Sequence, residues 1–329
     1  MLFPNFWLEP KFKQSFLPYL LYPISLFWLG LSKIKVKLNS SYQSPIPIIC
    51  VGNLTVGGNG KTPTALKIRC LLKDLGYKPH ILSRGYRARI KGPHLVDPLT
   101  DSFVDVGDEA LLMASYGSTW ISRNRSAGVK AAINSGADVI VLDDGYQNQS
   151  IEKNLSILVI ETSIGFGNGY LIPAGPLREN ISHGMKKADL IITIGDQSTQ
   201  DDFRSKNPFL KEFPVIQARL KPKENTLNLK GEKVVAFAGI AHPSKFKATL
   251  ENLGAIIISF RAFSNHKPFG MRQLNKLLLE AKTKKAILVT TQKDFVRIPS
   301  ELQDNFKAIE VELEIDAQNF LLKKLLSIF

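Results

Sequence analysis

The chain has 329 residues, of which 44% are hydrophobic and 22% charged, a composition typical of a globular protein and not of a disordered one. Its 43 Lys and Arg residues outnumber its 29 Asp and Glu residues, and the net charge of +14 favours an anionic partner: nucleic acid, a phospholipid surface or a phosphorylated substrate. The length predicts two domains. The two cysteines, Cys50 and Cys70, give no disulfide framework or metal-ligand spacing, and they are predicted to be buried thiols in a reducing compartment.

The first predicted element is an apolar segment near the N-terminus. Residues 14–32, QSFLPYLLYPISLFWLGLS, contain no charge, and lysines stand on both sides of them. The segment is only just long enough to span a bilayer, which takes about 20 apolar residues, and two prolines interrupt it. We therefore predict that residues 1–37 form a hydrophobic anchor helix that associates with a membrane surface; a buried helix and a secretory signal peptide are the alternatives.

Strand and helix patterns then alternate along the chain. Apolar strands are predicted for PIPIICVGNL, KPHILSRGY, ADVIVLDDGYQ, NLSILVIE and ADLIITIGD, and helices for TALKIRCLLKDLG and for residues 107–116 and 126–135. Because strands that alternate with helices usually form a parallel sheet covered on both faces, we predict a doubly wound parallel α/β domain over residues 38–222.

A polar stretch from Asp196 to Asn228 is predicted to be the boundary region before a second domain. Beyond it, EKVVAFAGIAHPSKF, GAIIISFRAFSNH and KAILVTTQKDFVRI repeat the pattern of a strand followed by a polar loop, and FLLKKLLSIF predicts a closing amphipathic helix. We therefore predict a smaller α/β domain over residues 223–329 that closes over the site.

The turn after the first strand has the features of a phosphate-binding loop. VGNLTVGGNGKTP fits the pattern G-x-x-x-x-G-K-[ST] except at its first position, which is Thr55, where a positive φ would be strained. The glycines let phosphate oxygens approach the backbone, Lys61 supplies a charge for the β- and γ-phosphates, and the Thr62 hydroxyl can ligate Mg²⁺. The residues predicted to bind nucleotide are Thr55, Val56, Gly57, Gly58, Asn59, Gly60, Lys61 and Thr62. The loop alone does not distinguish a kinase from an ATPase or a GTPase.

Two acidic pairs are candidates for metal binding or catalysis. Asp143 and Asp144 follow four apolar residues at the end of a predicted strand, where a carboxylate can reach a metal beside the phosphates, although they would also serve to cap a turn. Asp108 and Glu109 open a predicted helix in DVGDEALL. Acidic residues at that position more often complement the helix dipole than take part in chemistry.

The remaining candidates are basic or aromatic. SRGYR, with Tyr86, follows a strand at the edge where open α/β sheets bind ligands. Arg125 and Arg178 stand beside turns, where each would either clamp an anionic substrate or be solvated. His266, in FSNHKPF, lies in a loop after an apolar strand.

These motifs occur together in an order that resembles one protein family. VGNLTVGGNGKTP, SRGY, GDEA, DDGYQ, FGNGYLIPAGPLRE, AGIAHPSKF, the NH of FSNHKPF and TQKDFVRI follow one another in this order, and with the N-terminal hydrophobic segment the similarity covers roughly residues 1–300. The combination resembles the tetraacyldisaccharide 4′-kinase family. The resemblance implies that ATP with Mg²⁺ phosphorylates the 4′-hydroxyl of an acylated disaccharide 1-phosphate, the lipid A precursor, at the cytoplasmic face of the bacterial inner membrane.

The resemblance also implies a role for each candidate residue. Asp108 would accept the hydroxyl proton with His266 as its partner, and Lys61 would neutralise the phosphates. The implied metal ligands are Thr62, Glu109 and Asp143 or Asp144, and the implied acceptor-binding residues are Tyr86, Arg125 and Arg178. An acylated anionic substrate would account for both the anchor helix and the basic charge.

The chain departs from the family pattern at two positions. Asn265 stands before His266 where the family more often has aspartate, and Ala110 replaces the proline of G-D-E-P. The alternative function is a membrane-associated ATPase switch whose acceptor is water. A nucleic-acid-binding module is disfavoured, since no patch of clustered basic and aromatic residues is present.

Overall fold

A computed structural model of the protein describes residues 4–8, 16–36, 41–58, 60–223, 227–264 and 267–329. The strands are β1 (Ile48–Gly52), β2 (Pro79–Ser83), β3 (His94–Leu95), β4 (Thr119–Ile121), β5 (Val139–Asp143), β6 (Leu155–Glu161), β7 (Leu190–Ile194), β8 (Val215–Pro222), β9 (Lys233–Ala238), β10 (Ile256–Ala262), β11 (Ile287–Thr291), β12 (Lys307–Ile309) and β13 (Val311–Ile315). The helices are α1 (Leu17–Val36), α2 (Lys61–Asp74), α3 (Phe103–Val106), α4 (Asp108–Ala114), α5 (Arg125–Asn134), α6 (Ile181–Met185), α7 (Gln197–Lys206), α8 (Pro243–Asn252), α9 (Met271–Lys284), α10 (Gln292–Phe295), α11 (Ser300–Gln303) and α12 (Gln318–Leu326).

Nine strands form the large sheet in the order β13-β8-β7-β6-β1-β5-β2-β4-β3. All neighbouring pairs are parallel except β3 with β4 and β13 with β8. In β1, Ile49 and Val51 face the core that contains α2, whereas Ile48 and Cys50 face the core that contains α5. Alternate residues of a strand point to opposite faces, so both faces are buried. The predicted doubly wound parallel sheet is confirmed.

A smaller sheet has the order β10-β9-β11-β12, with every pair parallel. Helix α9 covers one face, where Leu274 and Leu277 pack on Val235 and Phe237, and α8 covers the other. The strands and helices of this unit run from residue 233 to residue 309.

The C-terminal part of the chain returns to the large sheet. Strand β13 pairs with β8 (Val311 opposite Pro222), and Leu321 and Leu325 of α12 are buried in the same core as α2. The prediction that residues 223–329 form one smaller domain is therefore wrong for residues 311–329. The predicted boundary region also contains α7 and β8, because Phe203 and Ile216 have a core of the large sheet to pack against.

Helix α1 packs on the loop that follows β6. The Ser25 hydroxyl donates to the Leu171 carbonyl (3.0 Å), the Trp7 indole donates to the Pro173 carbonyl (3.0 Å), and Tyr22 lies edge-on to Tyr170. Most of the described apolar side chains of α1 are 42–70% exposed: Leu17, Tyr19, Leu20, Tyr22, Ile24, Leu26 and Phe27. The alternative of a fully buried helix is therefore wrong. Among the described residues, no helix combines the length and the apolar character that crossing a membrane requires.

The two cysteines have different environments. Cys50 is buried in β1, and burial raises the pKa of its thiol to about 11. Cys70 lies on the exposed side of α2, so its predicted burial is wrong. The α2 positions that pack on the sheet are instead Ala65, Ile68 and Leu72.

Candidate active site

The phosphate-binding loop joins β1 to α2 at the centre of the large sheet. The sharp turns are made by Gly57 (φ 110°) and Gly60 (φ 80°), which adopt a backbone conformation that favours glycine. The Lys61 ammonium donates to the Gly57 carbonyl at 3.1 Å, and the Thr64 hydroxyl donates to the Gly60 carbonyl at 2.8 Å. The 14-residue helix α2 therefore begins directly after the glycine turn, as in sites that bind phosphate at a helix N-terminus.

Thr55 is accommodated without backbone strain. It is 3% exposed and lies in an antiparallel bridge with Leu177, and it is not among the residues with positive φ. On either side, the Val56 amide donates to the Pro176 carbonyl (2.9 Å) and the Arg178 amide donates to the Leu54 carbonyl (2.7 Å). The PAGPLRE segment therefore supports the loop from one side. Asn59, the remaining loop position, lies outside the described residues.

Asp144 joins two cations at the end of β5. The Arg178 guanidinium donates to both carboxylate oxygens, at 2.9 and 3.1 Å, and the Lys61 ammonium lies 3.6 Å from Oδ1. Burial acts to raise the pKa of Asp144, but the charges of Lys61 and Arg178 outweigh it and the pKa is lowered. Asp144 also has a φ of 53°, a conformation that occurs disproportionately at functional sites when the residue is not glycine.

Asp143 has the opposite environment. It is 1% exposed, and its Oδ1 has no hydrogen-bond partner. Burial, together with the negative charges of Glu109 and Asp144, raises the pKa of Asp143 to about 7. A buried carboxylate with an unsatisfied oxygen is costly, so this position suits a cation.

Glu109 and Asp108 begin α4. The Lys293 ammonium of α10 donates to Glu109 Oε1 at 2.7 Å and lowers the pKa of that carboxyl, although burial and Asp108 act against it. Asp108 is 6% exposed, and its Oδ1 accepts the Glu109 amide at 2.9 Å. Gly107, with φ 90°, packs so closely on the Tyr86 carbonyl that a Cβ would lie 2.8 Å from its oxygen. The SRGY and GDEA motifs are therefore neighbours.

The candidate acceptor-binding residues fall into different environments. Tyr86 is 57% exposed, and the side chain of Arg178 is 26% exposed. Arg125 is only 4% exposed and donates to the carbonyls of Leu82 (3.2 Å) and Asp143 (3.1 Å). The donors of Arg125 hold the ends of β2 and β5 in this structure, and its contact with the acceptor stays a prediction. His266, the predicted partner of Asp108, lies outside the described residues.

Several residues that the sequence did not single out belong to this site. Gln147 donates to the Asn53 carbonyl (2.8 Å) and to Glu179 (3.1 Å), which connects DDGYQ to PAGPLRE. The Asn53 side chain is fully buried, yet neither of its polar atoms has a hydrogen-bond partner. Lys293 is the third residue of this kind. All three lie inside motifs that the sequence analysis quoted, but their contacts are visible only in three dimensions.

The carboxylates fit a magnesium ion that is shared with phosphates. Within the described ranges, no group of three or more His, Cys, Asp or Glu side chains is arranged to hold a metal by itself. Mg²⁺ at nucleotide sites usually takes one or two carboxylates together with water and phosphate oxygens. The unpartnered oxygen of Asp143 and the nearby Glu109 meet that requirement.

Comparisons with known proteins show which family the chain resembles along nearly its whole length. Residues 17–329 match the family described as tetraacyldisaccharide-1-P 4'-kinase. The chain is 40% identical to the tetraacyldisaccharide 4'-kinase of Dinoroseobacter shibae, over 95% of this chain and 93% of that one. It is 42% identical to that of Rhodospirillum centenum, over 98% and 96%. The crystal structure of LpxK from Aquifex aeolicus in complex with ATP superimposes with a TM-score of 0.75 at 26% identity and covers 95% of this chain and 99% of that one.

Proposed function

The chain belongs to the tetraacyldisaccharide-1-P 4'-kinase family, and on that premise we propose that it transfers the γ-phosphate of ATP to the 4′-hydroxyl of tetraacyldisaccharide 1-phosphate. The product is the 1,4′-bisphosphate precursor of lipid A. The observation that carries the proposal is the convergence of Lys61 and Arg178 on Asp144 at the phosphate-binding loop, with distances of 3.6 and 2.9 Å. Two fixed cations beside a glycine turn are what a transferring phosphoryl group requires.

In the transfer, the sugar hydroxyl oxygen attacks the γ-phosphorus and the bond from that phosphorus to the β-γ bridging oxygen breaks, so that ADP leaves. The loop amides and Lys61 hold the β- and γ-phosphates, and Arg178 faces the charge that develops on the transferring group. Asp108 accepts the hydroxyl proton. Its burial at the start of α4, beside Glu109 and Lys293, supports this role. The pairing of His266 with Asp108 is carried over from the family motif.

Thr62, Glu109 and Asp143 are the residues that would hold Mg²⁺. When bound, the ion would neutralise charge on the phosphate oxygens. Asp143 is assigned to the metal in preference to Asp144, because Asp144 is already engaged by Arg178 and Lys61, whereas Asp143 Oδ1 has no partner. Arg125 fixes the Asp143 backbone through the carbonyl.

Tyr86 is assigned to the acceptor because it is exposed beside Gly107, next to the proposed base. The exposed apolar side of α1 and the net charge of +14 support association with the cytoplasmic face of the inner membrane, where an acylated anionic substrate resides. Two ion pairs connect the smaller unit to the rest of the chain, Lys293 with Glu109 and Lys245 with Glu161, and they support the proposal that this unit covers the site.

The test is transfer of γ-³²P from ATP to purified tetraacyldisaccharide 1-phosphate in detergent micelles, with and without Mg²⁺. Labelled lipid that appears only with Mg²⁺ is the expected result. Release of free phosphate with no labelled lipid would contradict the proposal and favour an ATPase switch.

A further inference from the structure

The TQKDFVRI segment supplies a side chain to the site from the smaller unit. Lys293 lies on α10, which follows β11 of the small sheet, and its ammonium donates to Glu109 Oε1 at 2.7 Å. The two side chains are 21% and 28% exposed, so the pair is largely shielded from solvent. A shielded ion pair constrains its partners more than a surface pair does.

The rest of the segment fixes Lys293 in place. The Thr291 hydroxyl accepts the Asp294 amide (3.1 Å) and so caps α10. The Asp294 carboxylate accepts the Gly239 amide (2.9 Å) and the Thr291 hydroxyl (2.7 Å), and it forms an ion pair with Arg297. Asp294 and Arg297 side chains are both fully buried. A four-residue helix has little stability of its own, so these contacts are what hold Lys293.

A second contact aligns α10 with α4. The side-chain amide of Gln292 donates to the Tyr116 hydroxyl at 2.6 Å, just beyond the C-terminal end of α4. Lys293, the next residue, contacts Glu109 in the first turn of α4. Successive residues of α10 therefore contact the first turn of α4 and the turn just beyond its C-terminal end. The position of the Glu109 carboxylate is set by the smaller unit as well as by its own helix.

We propose that Lys293 is a positioning residue of the phosphoryl-transfer site. It holds the Glu109 carboxylate through Oε1, and the second oxygen of that carboxylate is the one that binds the metal. Carboxylates that ligate metals are commonly oriented by a hydrogen bond, and loss of that partner typically lowers metal affinity or activity by about 10- to 100-fold. The inference rests on the proposed function, in which Glu109 is a metal ligand.

A positioning role for Lys293 is distinct from a purely structural role, in which the residue would only connect the two units. Lys245 of α8 forms a separate link, because its ammonium pairs with Glu161 at the end of β6 and donates to the Ser163 hydroxyl at 2.9 Å. Loss of Lys293 therefore leaves a contact between the units. Loss of a purely structural contact would affect unfolding or the docking of the units, whereas loss of a positioning residue affects metal binding.

The test measures binding of Mn²⁺ to the full-length protein with a non-hydrolysable ATP analogue, from the electron paramagnetic resonance signal of free Mn²⁺. Lys293→Met is expected to raise the Mn²⁺ dissociation constant by about 10-fold or more, and Lys293→Arg, which keeps a charged donor, is expected to recover most of that loss. Lys221→Met is the matched control, because Lys221 forms a 2.8 Å pair with Glu314 between β8 and β13. The same variants are assayed for lipid phosphorylation, where the half-saturating Mg²⁺ concentration should shift in parallel.

A Mn²⁺ dissociation constant of Lys293→Met within about twofold of the wild-type value would overturn the proposal. If the melting temperature fell at the same time, the role of Lys293 would be purely structural. If the Met variant does not fold, Lys293→Gln, which keeps a neutral donor, carries the same comparison against Lys293→Arg. Failure of the wild type to label lipid would reject the proposed function, while the Mn²⁺ titration would still decide the role of Lys293.

Discussion

Lys61 and Asp144 form an ion pair at the phosphate-binding loop, with the ammonium 3.6 Å from Oδ1. The same carboxylate accepts Arg178 at 2.9 Å. One acidic residue therefore keeps two cations in fixed positions before any nucleotide binds. Cations held in advance stabilise developing charge without further reorganisation, which explains why a carboxylate adjacent to the phosphates is compatible with phosphoryl transfer.

Lys61→Ala tests this arrangement. Removal of the ammonium takes away the charge that stabilises the transferring group, so kcat is expected to fall by at least about 10²- to 10³-fold. Lys73→Ala, at the far end of the same helix, is the control and should retain activity. The measurement is the rate of lipid phosphorylation at saturating ATP. Turnover of Lys61→Ala near the wild-type value would contradict the assignment.

Asp108→Asn tests the proposed base. The amide keeps an oxygen to accept the Glu109 amide but is not basic, so kcat should fall by about 10²- to 10⁴-fold while the affinity for ATP changes little. Single-turnover rates and nucleotide binding by calorimetry separate the two effects. Asp105→Asn, three positions earlier in α3 and hydrogen-bonded to Ser102, is the control. An active Asp108→Asn variant would show that another group accepts the proton.

The pKa of Asp143 predicts a pH-dependent stability in the absence of metal. Its value is about 7 in the folded protein against an ordinary 3.8, so the folded state favours the protonated carboxyl between these values. Stability contributed by the neutral carboxyl is present below about pH 4 and is lost as the pH rises to about 7. Asp143→Asn should therefore raise the free energy of unfolding at pH 8, by at most about 4 kcal/mol, and have a smaller effect at pH 5.

Urea unfolding in EDTA at the two pH values measures this difference, with the exposed Asp304→Asn as the control. Equal effects of Asp143→Asn at pH 5 and pH 8 would mean that the buried carboxyl does not titrate in this range. With a non-hydrolysable ATP analogue present, Mg²⁺ should stabilise the wild type at pH 8 more than it stabilises Asp143→Asn, because ligand binding to the folded state stabilises it.

The local parts of the site could be predicted from the sequence, whereas its long-range pairings could not. The glycine turn between β1 and α2 is determined by neighbouring residues, so its position and its link to Lys61 follow from the pattern. Arg125 is adjacent to a turn and looks exposed, but it is buried against the carbonyls of Leu82 and Asp143. Lys293 lies 184 positions from Glu109, and no spacing rule connects them.

The same distinction holds for the fold. Alternating strands and helices predict a parallel sheet, but they do not say which sheet receives a late strand. Val311–Ile315 could extend either sheet by its pattern alone, and it joins β8 because Leu313 and Ile315 are then buried in the large core. Edge assignments of this kind depend on packing between distant segments.

Asn53→Leu is expected to separate stability from activity. The Asn53 side chain is fully buried with both polar atoms unpartnered, a state that costs about 1–3 kcal/mol. An apolar side chain of similar size removes that cost, so the melting temperature should stay the same or rise. Activity should nevertheless fall, because stability is often given up at functional sites and Asn53 lies just before the phosphate-binding loop. A variant that is both more stable and fully active would show that Asn53 has no role in the reaction.

The exposed side of α1 gives the last prediction. Leu20, Ile24 and Phe27 are 60%, 54% and 70% exposed, and the contacts of Ser25 and Tyr22 hold the helix to the loop after β6 from its other side. Replacement of the three by serine removes apolar area worth about 1.5–3 kcal/mol for each buried side chain, so cosedimentation with anionic phospholipid vesicles should fall by at least about tenfold. The melting temperature should not change, because none of the three is in the core. Leu279→Ser, which is 67% exposed on α9, is the matched control. Equal loss of vesicle binding in the control would mean that general surface hydrophobicity, and not α1, determines the association.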